Sequence, residues 1–139
     1  MARFKLEHRI PWSDVDLAAV VNFPRFFSYF EMAEVEWVRA QGKDYLGFLD
    51  EMNVWLPRAA AHCNYRAPAR FGDLLSIEMG LDRLGRASFT FGYEVFRQPE
   101  RKLVADGNVV VASVSREDFK SVPLPEKLKE MLQRLKSEE

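Results

Sequence analysis

The sequence predicts an α+β fold in which a curled antiparallel β-sheet wraps around one long central helix. Residues 24–41 carry bulky apolar side chains at helical spacing, and these cover most sides of the helix in its first turns. Three later segments alternate between apolar and polar residues and are joined by short turns, as in an antiparallel meander. Because such a sheet buries one face and this helix needs burial on most sides, the economical packing places the helix inside the curl of the sheet.

Length and composition indicate one globular domain over residues 1–139, since the chain is 47% hydrophobic and 29% charged and contains no repeat or linker. The formal net charge of −1 gives no indication of a nucleic-acid partner. Cys63 is the only cysteine, so an internal disulfide is excluded. The N terminus lacks the apolar core of a signal peptide, and no apolar run is long enough to span a bilayer. We therefore expect a cytoplasmic protein without membrane insertion.

The first elements are a strand, an acidic loop and the long helix. The strand is predicted over residues 4–10, where apolar and charged residues alternate, and the loop follows over residues 12–23. The helix is predicted over residues 24–41. Asn22 is expected to be its N-cap, and Pro24 suits its first turn. Gly42 can end it because glycine adopts the left-handed conformation easily.

The remaining elements alternate between strands and helical segments. Residues 43–53 are expected to form a short helical turn or a packed loop, and residues 58–66 a strand limited by the preceding proline. Three meander strands are predicted over residues 74–83, 87–97 and 102–115. A short C-terminal helix is predicted to end near Lys136. Its apolar stripe comprises Leu124, Leu128, Met131, Leu132 and Leu135.

Several common catalytic chemistries are excluded by the residues present. The only histidines are His8, expected to be a hydrogen-bonded core residue, and His62. His62 and Cys63 are neighbours in a predicted strand, so their side chains point to opposite faces and form no obvious dyad. The sequence contains no nucleophile elbow, phosphate-binding loop or dinucleotide motif, and no metal-ligand spacing. An enzyme with this sequence is therefore expected to use a carboxylate.

Asp14 and Asp16 in the acidic loop are the candidate carboxylates. Either could accept loop N–H groups in an Asx-turn, and Asp14 at the end of the first strand suits that role better. A carboxylate at Asp16 would instead face the helix N terminus, whose N–H groups could hold the oxygen of a thioester as it gains charge. The residues alone leave both possibilities open.

The pattern D-x-D-x-A-x-V-V-x-F-P-x-F, which begins at Asp14, resembles the signature of the hotdog-fold acyl-CoA thioesterases of the 4-hydroxybenzoyl-CoA thioesterase family. FEMAEVEWVRAQG resembles the central helix of that family, and weaker similarities at residues 64–78 and 85–89 extend the match over nearly the whole chain. The resemblance implies hydrolysis of an acyl-CoA to a free acid and coenzyme A. It implies no metal and no cofactor, since coenzyme A is part of the substrate.

The resemblance also assigns site residues by position. Asp16 matches the catalytic carboxylate, as nucleophile or general base, and the backbone N–H of Phe23 matches the oxyanion-hole donor. Glu31 matches an acidic position that lines the pocket in some members; the alternative is an ordinary helix residue. Asn22 could orient water or cap the helix. Family members commonly have glycine where this chain has Ala19, and a polar residue in place of Phe23.

Substrate-binding residues are implied at two places. Arg83 and Arg86 match basic residues that reach the phosphates of coenzyme A, with a solvated hairpin tip as the alternative. Candidates for lining the acyl groove are Phe26, Phe27, Phe30 and Trp55. The family pairs subunits edge to edge, so a homodimer is expected, with pairing of dimers into a tetramer. The competing hypothesis is a non-catalytic protein that binds acyl-CoA or an acyl carrier protein, motivated by the departures at Ala19 and Phe23.

Overall fold

The computed structural model describes residues 4–137. Its elements are β1 (Phe4–Arg9), a 3-10 turn (Trp12–Asp14), α1 (Arg25–Ala40), α2 (Tyr45–Met52), β2 (Val54–Trp55), β3 (Arg58–Tyr65), β4 (Leu74–Leu84), β5 (Ser88–Gln98), β6 (Lys102–Ala112), β7 (Val114–Ser115) and α3 (Glu126–Ser137). The expectation of no signal peptide rests partly on residues 1–3, which lie outside the described residues. None of the helices within residues 4–137 is long and apolar enough to cross a bilayer.

A five-stranded antiparallel sheet with strand order β1-β4-β5-β6-β3 forms the frame of the fold. Apolar residues on alternate positions of the central strands β4 and β5 face the core. They are Leu75, Ile77, Met79, Leu81, Phe89, Phe91, Tyr93 and Val95. The strand register shifts once in each of the pairs β3–β6, β4–β5 and β5–β6, and such bulges bend a strand and increase its twist. The predicted α+β class and curled antiparallel sheet are confirmed.

Helix α1 lies against the inner face of the sheet through one broad stripe. Its buried residues recur at helical spacing and comprise Phe26, Tyr29, Phe30, Ala33, Glu34, Trp37 and Val38. Phe30 stacks on Tyr93 of β5 with ring centroids 4.3 Å apart. Phe27 is only half-buried and Glu31 is exposed, so within one chain the sheet covers one wide side of the helix and leaves the other side open.

The start of α1 corrects one prediction. Asn22 is not the N-cap; Pro24 occupies that position and makes no side-chain capping bond. The reason is that Asn22 is held two residues before the cap, because its backbone N–H donates to the carbonyl of Asp14 at 2.9 Å. The helix end is as expected, since Gly42 adopts φ +78° and its N–H bonds to the carbonyl of Arg39.

Two further differences lie outside α1. Residues 45–52 form a complete helix, α2, because the Asp44 side chain caps it by accepting the N–H of Gly47 at 2.9 Å. The strand predicted over residues 102–115 is two strands. It is interrupted at the buried Ser113, which belongs to neither strand although its N–H still bonds to the carbonyl of Ala87. The short strand β7 then pairs with β2 in a separate two-stranded sheet.

Helix α3 closes the other side of the core as the apolar stripe predicts. All five predicted stripe residues are buried: Leu124, Leu128, Met131, Leu132 and Leu135. They belong to the same cluster as α1 and the inner face of the sheet. The two helices therefore share one hydrophobic core, which fixes α1 and the loop that precedes it against the sheet.

Candidate active site

Asp16 is displayed at the tip of a tight loop ahead of α1. The loop is closed by a bridge between Val15 and Val21, by the Asp16 N–H donating to the Val20 carbonyl at 2.9 Å and by the Ala19 N–H donating to the Asp16 carbonyl at 2.9 Å. The Asp16 carboxylate accepts the N–H of Ala18 at 2.9 Å through Oδ1 and is exposed to solvent. Because Oδ2 accepts no hydrogen bond among the described residues, part of this carboxylate is free to react.

The backbone of Ala19 has a conformation that suits glycine, the residue that the family resemblance implies at this position. Ala19 has φ +58°, the left-handed conformation in which a Cβ costs about 1–2 kcal/mol. The loop nevertheless keeps its shape here, because its hydrogen bonds and bridges determine the backbone conformation. The chain therefore accommodates alanine at this position, and the backbone of Ala19 is locally strained beside Asp16.

The loop is also fixed to the connection between β3 and β4. Val20 forms a bridge with Arg70, the Val21 N–H donates to the Ala69 carbonyl at 2.8 Å, and the Phe71 N–H donates to the Ala19 carbonyl at 3.1 Å. The position of Asp16 is thus determined by chain segments about fifty residues apart in sequence.

The N terminus of α1 supplies one free backbone donor. The N–H groups of Arg25, Phe26 and Phe27 bond back to the carbonyls of residues 22–24, and Pro24 has no N–H. The N–H of Phe23 has no hydrogen-bond partner among residues 4–137, whereas its carbonyl accepts the Tyr65 hydroxyl at 3.1 Å. A free N–H at the positive end of a helix is suited to hold a developing oxyanion.

Asp14 does not form the Asx-turn expected for it; its side chain instead contacts helix α1. Its side chain, 13% exposed, accepts the Tyr29 hydroxyl at 2.8 Å, and Arg25 Nε lies 3.7 Å from Oδ1. Burial raises the pKa of the Tyr29 phenol, and the hydrogen bond to Asp14 raises it further, so the phenol remains a donor. The expectation of a hydrogen-bonded His8 is wrong, since its buried Nε2 has no hydrogen-bond partner in the part of the chain that the structure describes and lies 3.7 Å from Asp14 Oδ2.

A cavity of about 150 Å³ lies between α1 and the sheet, next to the open side of the helix. Its lining residues are Phe27, Phe30, Glu31, Glu34, Arg58, Ala61, Tyr93 and Val109. Glu34 is 4% exposed, and its Oε2 accepts hydrogen bonds from Tyr45 and, at 2.8 Å, from Arg58. Glu34 Oε1 accepts none from the described residues. Burial and the charge of Glu34 both raise the pKa of the Tyr93 phenol, which is therefore neutral.

Glu34, Arg58, Tyr45 and Tyr93 were not among the residues expected at the site. Glu34 alone had a sequence signal, because it is an acid on the apolar face of α1, between Phe30 and Trp37 at helical spacing. The pairing of Glu34 with Arg58 joins residues 24 positions apart and requires the folded chain.

The other predicted substrate residues lie in different places. Phe27 and the buried Phe30 line the cavity, Glu31 is exposed at its rim, and Phe26 is buried in the core away from it. Trp55 lies in β2, where the Arg116 guanidinium stacks on its ring at 3.8 Å, and it does not line this cavity.

Arg83 and Arg86 are both exposed at the turn between β4 and β5. The acidic loop packs near the start of β4, because the Ile10 N–H bonds to the Asp73 carbonyl. Residues 74 to 83 span about 30 Å of extended chain, so one chain does not bring these arginines to Asp16. Their role as phosphate ligands stays a prediction.

The other reactive side chains form neither a Cys–His dyad nor a metal site in the part of the chain that the structure describes. His62 Nε2 contacts Asn64 at 3.0 Å and not Cys63, and burial raises the pKa of the Cys63 thiol, so the pair forms no dyad, as expected. Among residues 4–137, no group of three acidic, histidine or cysteine side chains is arranged to hold a metal ion. The arrangement at α1 instead combines an exposed carboxylate with a free N–H at a helix start, which is suited to acyl transfer.

Comparison with known proteins identifies the family. The model of the thioesterase-like superfamily matches residues 10–132. The chain belongs to this superfamily. A relative from Aquifex aeolicus, described only in general terms as an esterase, is 31% identical over 133 residues and covers 96% of this chain and 98% of its own. A 1,4-dihydroxy-2-naphthoyl-CoA hydrolase from Synechococcus elongatus is 30% identical over 134 residues, with 96% of this chain and 97% of its own covered.

The fold of this thioesterase-like protein agrees with solved structures. A 1,4-dihydroxy-2-naphthoyl-CoA thioesterase from Synechocystis superposes with a TM-score of 0.88 at 23% identity, over 95% of this chain and 96% of that chain. The expected hotdog fold and the expected thioester-hydrolase class are both confirmed.

Proposed function

We propose that this protein is an acyl-CoA thioesterase in which Asp16 attacks or activates water and the Phe23 N–H holds the oxyanion. One observation carries the proposal: the exposed Asp16 carboxylate is displayed on the loop that leads into the unpartnered Phe23 N–H at the start of α1. The departures at Ala19 and Phe23 remove neither group, because Ala19 keeps the loop conformation and Phe23 contributes only its backbone. This favours an enzyme over a non-catalytic binding protein.

Both possible steps at Asp16 use the same geometry. As a nucleophile, the carboxylate adds to the thioester carbon; as a general base, it takes a proton from the water that adds. In either case the carbonyl oxygen becomes negative and accepts the Phe23 N–H until the carbon–sulfur bond breaks. On the general-base route the proton taken from water passes to the leaving thiolate, which gives the free acid and coenzyme A. On the nucleophilic route the thiolate takes a proton from solvent, and water hydrolyses the mixed anhydride left at Asp16 to the free acid and the Asp16 carboxyl group. Asn22 lies one residue before this donor and is a candidate to orient water.

The acyl group is proposed to be a hydroxylated aromatic ring held in the cavity beside α1. The cavity begins at Phe27, about 6 Å along the helix axis from Phe23, and its volume of about 150 Å³ is the size that accommodates a benzene ring. Phe27 and Phe30 supply aromatic walls, and the free Oε1 of buried Glu34 can accept a ring hydroxyl. The Synechococcus elongatus relative, which acts on a dihydroxynaphthoyl thioester, supports the same class.

Free-thiol release tests this proposal with matched substrates. We expect hydrolysis of benzoyl-CoA and 4-hydroxybenzoyl-CoA, with kcat/KM about tenfold or more higher for the hydroxylated ester, because a hydrogen bond to a buried charge is worth about 1.5–3 kcal/mol. Glu34→Gln should reduce that preference. Glu36→Gln, the same change on the outer part of α1, should leave it unchanged. Equal rates for the two esters would contradict the acyl preference, and no thiol release from any ester would contradict the function.

We further propose that the active form is a homodimer paired through β3. This strand is an edge of the sheet, since it pairs only with β6, and its small residues Ala59, Ala60 and Ala61 are exposed. An exposed edge of this kind is a template for pairing with a second chain. Tyr65 ends β3 and bonds to Phe23, so the partner would lie beside the oxyanion donor.

Antiparallel pairing of two β3 strands places the start of β3 in one subunit beside the end of β3 in the other. Under this proposal, Arg83 of the partner subunit is the residue available to a coenzyme A phosphate, which resolves the separation of about 30 Å within one chain. Light scattering at micromolar concentration is expected to give two or four times the chain mass of 16.1 kDa. A monomer mass would contradict this assembly.

A further inference from the structure

Asp14 is the point where three parts of the fold meet. His8 of β1 places its buried Nε2 3.7 Å from Asp14 Oδ2, and Arg25 at the first turn of α1 places Nε 3.7 Å from Oδ1. Tyr29, one turn further along α1 and 1% exposed, donates its hydroxyl to Oδ2 at 2.8 Å. The side chains that face this carboxylate from β1 and α1 are therefore an imidazole, a guanidinium and a phenol, and the phenol donates to it.

The backbone of the same residue joins the two ends of the acidic loop. The Asp14 carbonyl accepts the Asn22 N–H at 2.9 Å, which closes the two ends of the loop on each other. The Asp16 carboxylate, by contrast, bonds only within its own loop, to the Ala18 N–H. Among residues 4–137, the only side-chain hydrogen bond that joins this loop to α1 is the one between Asp14 and Tyr29.

We propose that Asp14, held by the Tyr29 hydroxyl, is the positioning residue that sets the loop and its Asp16 carboxylate against the N terminus of α1. Asp14 touches no reacting atom in this account. Its effect on the reaction comes through the distance between Asp16 and the Phe23 N–H, and a misplacement of about 1 Å between reacting groups lowers rates strongly. The inference rests on the proposed function, but the tether itself is measurable without activity.

Tyr29→Phe is the direct test, because it removes the tether and keeps the ring in the core. We expect kcat to fall between tenfold and 100-fold with KM nearly unchanged, and amide hydrogen exchange over residues 15–22 to become faster. Ser76→Ala is the matched control. It also removes a buried hydroxyl that donates to a carboxylate, at 3.0 Å to Glu78, but on the sheet and away from the loop. It should change neither kcat nor exchange in the loop.

Two substitutions at Asp14 separate positioning from catalysis. Asp14→Asn keeps an oxygen that accepts the Tyr29 hydroxyl and should retain most of the activity, whereas Asp14→Ala should lose as much as Tyr29→Phe. Equal, large losses in Asp14→Asn and Asp14→Ala would overturn the proposal, since they would mean that the charge itself is required for the reaction. Unchanged loop exchange and unchanged kcat in Tyr29→Phe would also overturn it.

The exchange measurement distinguishes this inference from the proposed function. If the wild-type protein releases no thiol, the proposed function fails, and faster exchange over residues 15–22 in Tyr29→Phe but not in Ser76→Ala still supports the tether. If the wild-type protein is active and exchange in the two variants is equal, the tether fails and the function stands.

Discussion

Asp16→Asn is expected to lower kcat for thioester hydrolysis by about 10²–10⁴-fold, the usual contribution of a positioned acid or base. The amide cannot take a proton from water, and it is a poor nucleophile. It can still accept the Ala18 N–H that Asp16 Oδ1 accepts at 2.9 Å, so the loop should keep its conformation. Thiol release under saturating acyl-CoA measures the effect, and KM should change little because the substrate contacts remain.

Asp73→Asn is the matched control for this substitution. Asp73 is also a loop carboxylate, and its Oδ2 accepts the Arg70 N–H at 2.9 Å, in the connection that packs against the acidic loop. The change is chemically identical, and we expect kcat within about twofold of the wild-type value, as for surface changes in general. Wild-type turnover by Asp16→Asn would show that another group carries the chemistry.

Removal of the Phe23 N–H is expected to lower kcat by about 10²–10³-fold, as loss of one oxyanion-hole donor does elsewhere. The most selective variant replaces the Asn22–Phe23 peptide bond with an ester. This change deletes the N–H and keeps both the side chain and the backbone conformation. The N–H has no hydrogen-bond partner among residues 4–137, so its loss should leave the melting temperature nearly unchanged.

Phe23→Ala provides the comparison for the ester variant. It removes the ring, which is exposed and packs edge-on against Tyr65 with centroids 6.2 Å apart, but it keeps the donor. We expect kcat to fall only a few-fold in this variant. A larger loss in Phe23→Ala than in the ester variant would contradict the oxyanion assignment and would point to the ring as the important part of Phe23.

The residue assignments of the acidic loop show where sequence reasoning reached its limit. The sequence identified Asp14 and Asp16 as the important pair, but it favoured the wrong one of them for the Asx-turn. Asp16 makes the Asx-turn expected for Asp14, while Asp14 is bound by Tyr29, fifteen residues away. The spacing of two acids does not specify which one meets a helix side chain, because that depends on how the loop folds back over α1.

The cavity beside α1 illustrates the same limit. Phe26, Phe30 and Glu34 recur at helical spacing on the buried face of α1, so the sequence contained a signal for their burial. The phenol and the guanidinium that bond to Glu34 come from α2 and β3, and no local pattern connects these segments to α1. A buried carboxylate requires such partners, but only packing selects which residues supply them.

The sequence by itself determined the α+β hotdog class, the long helix α1, the stripe of α3 and the family to which the chain belongs. These properties depend on hydrophobic periodicity and on a local motif, both of which are written in neighbouring residues. The tertiary structure decided the free N–H at Phe23, the Asp14–Tyr29 tether, the Glu34–Arg58 pair and the distance of Arg83 from Asp16. Those properties depend on contacts between segments far apart in the chain, and such contacts are fixed only when the core packs.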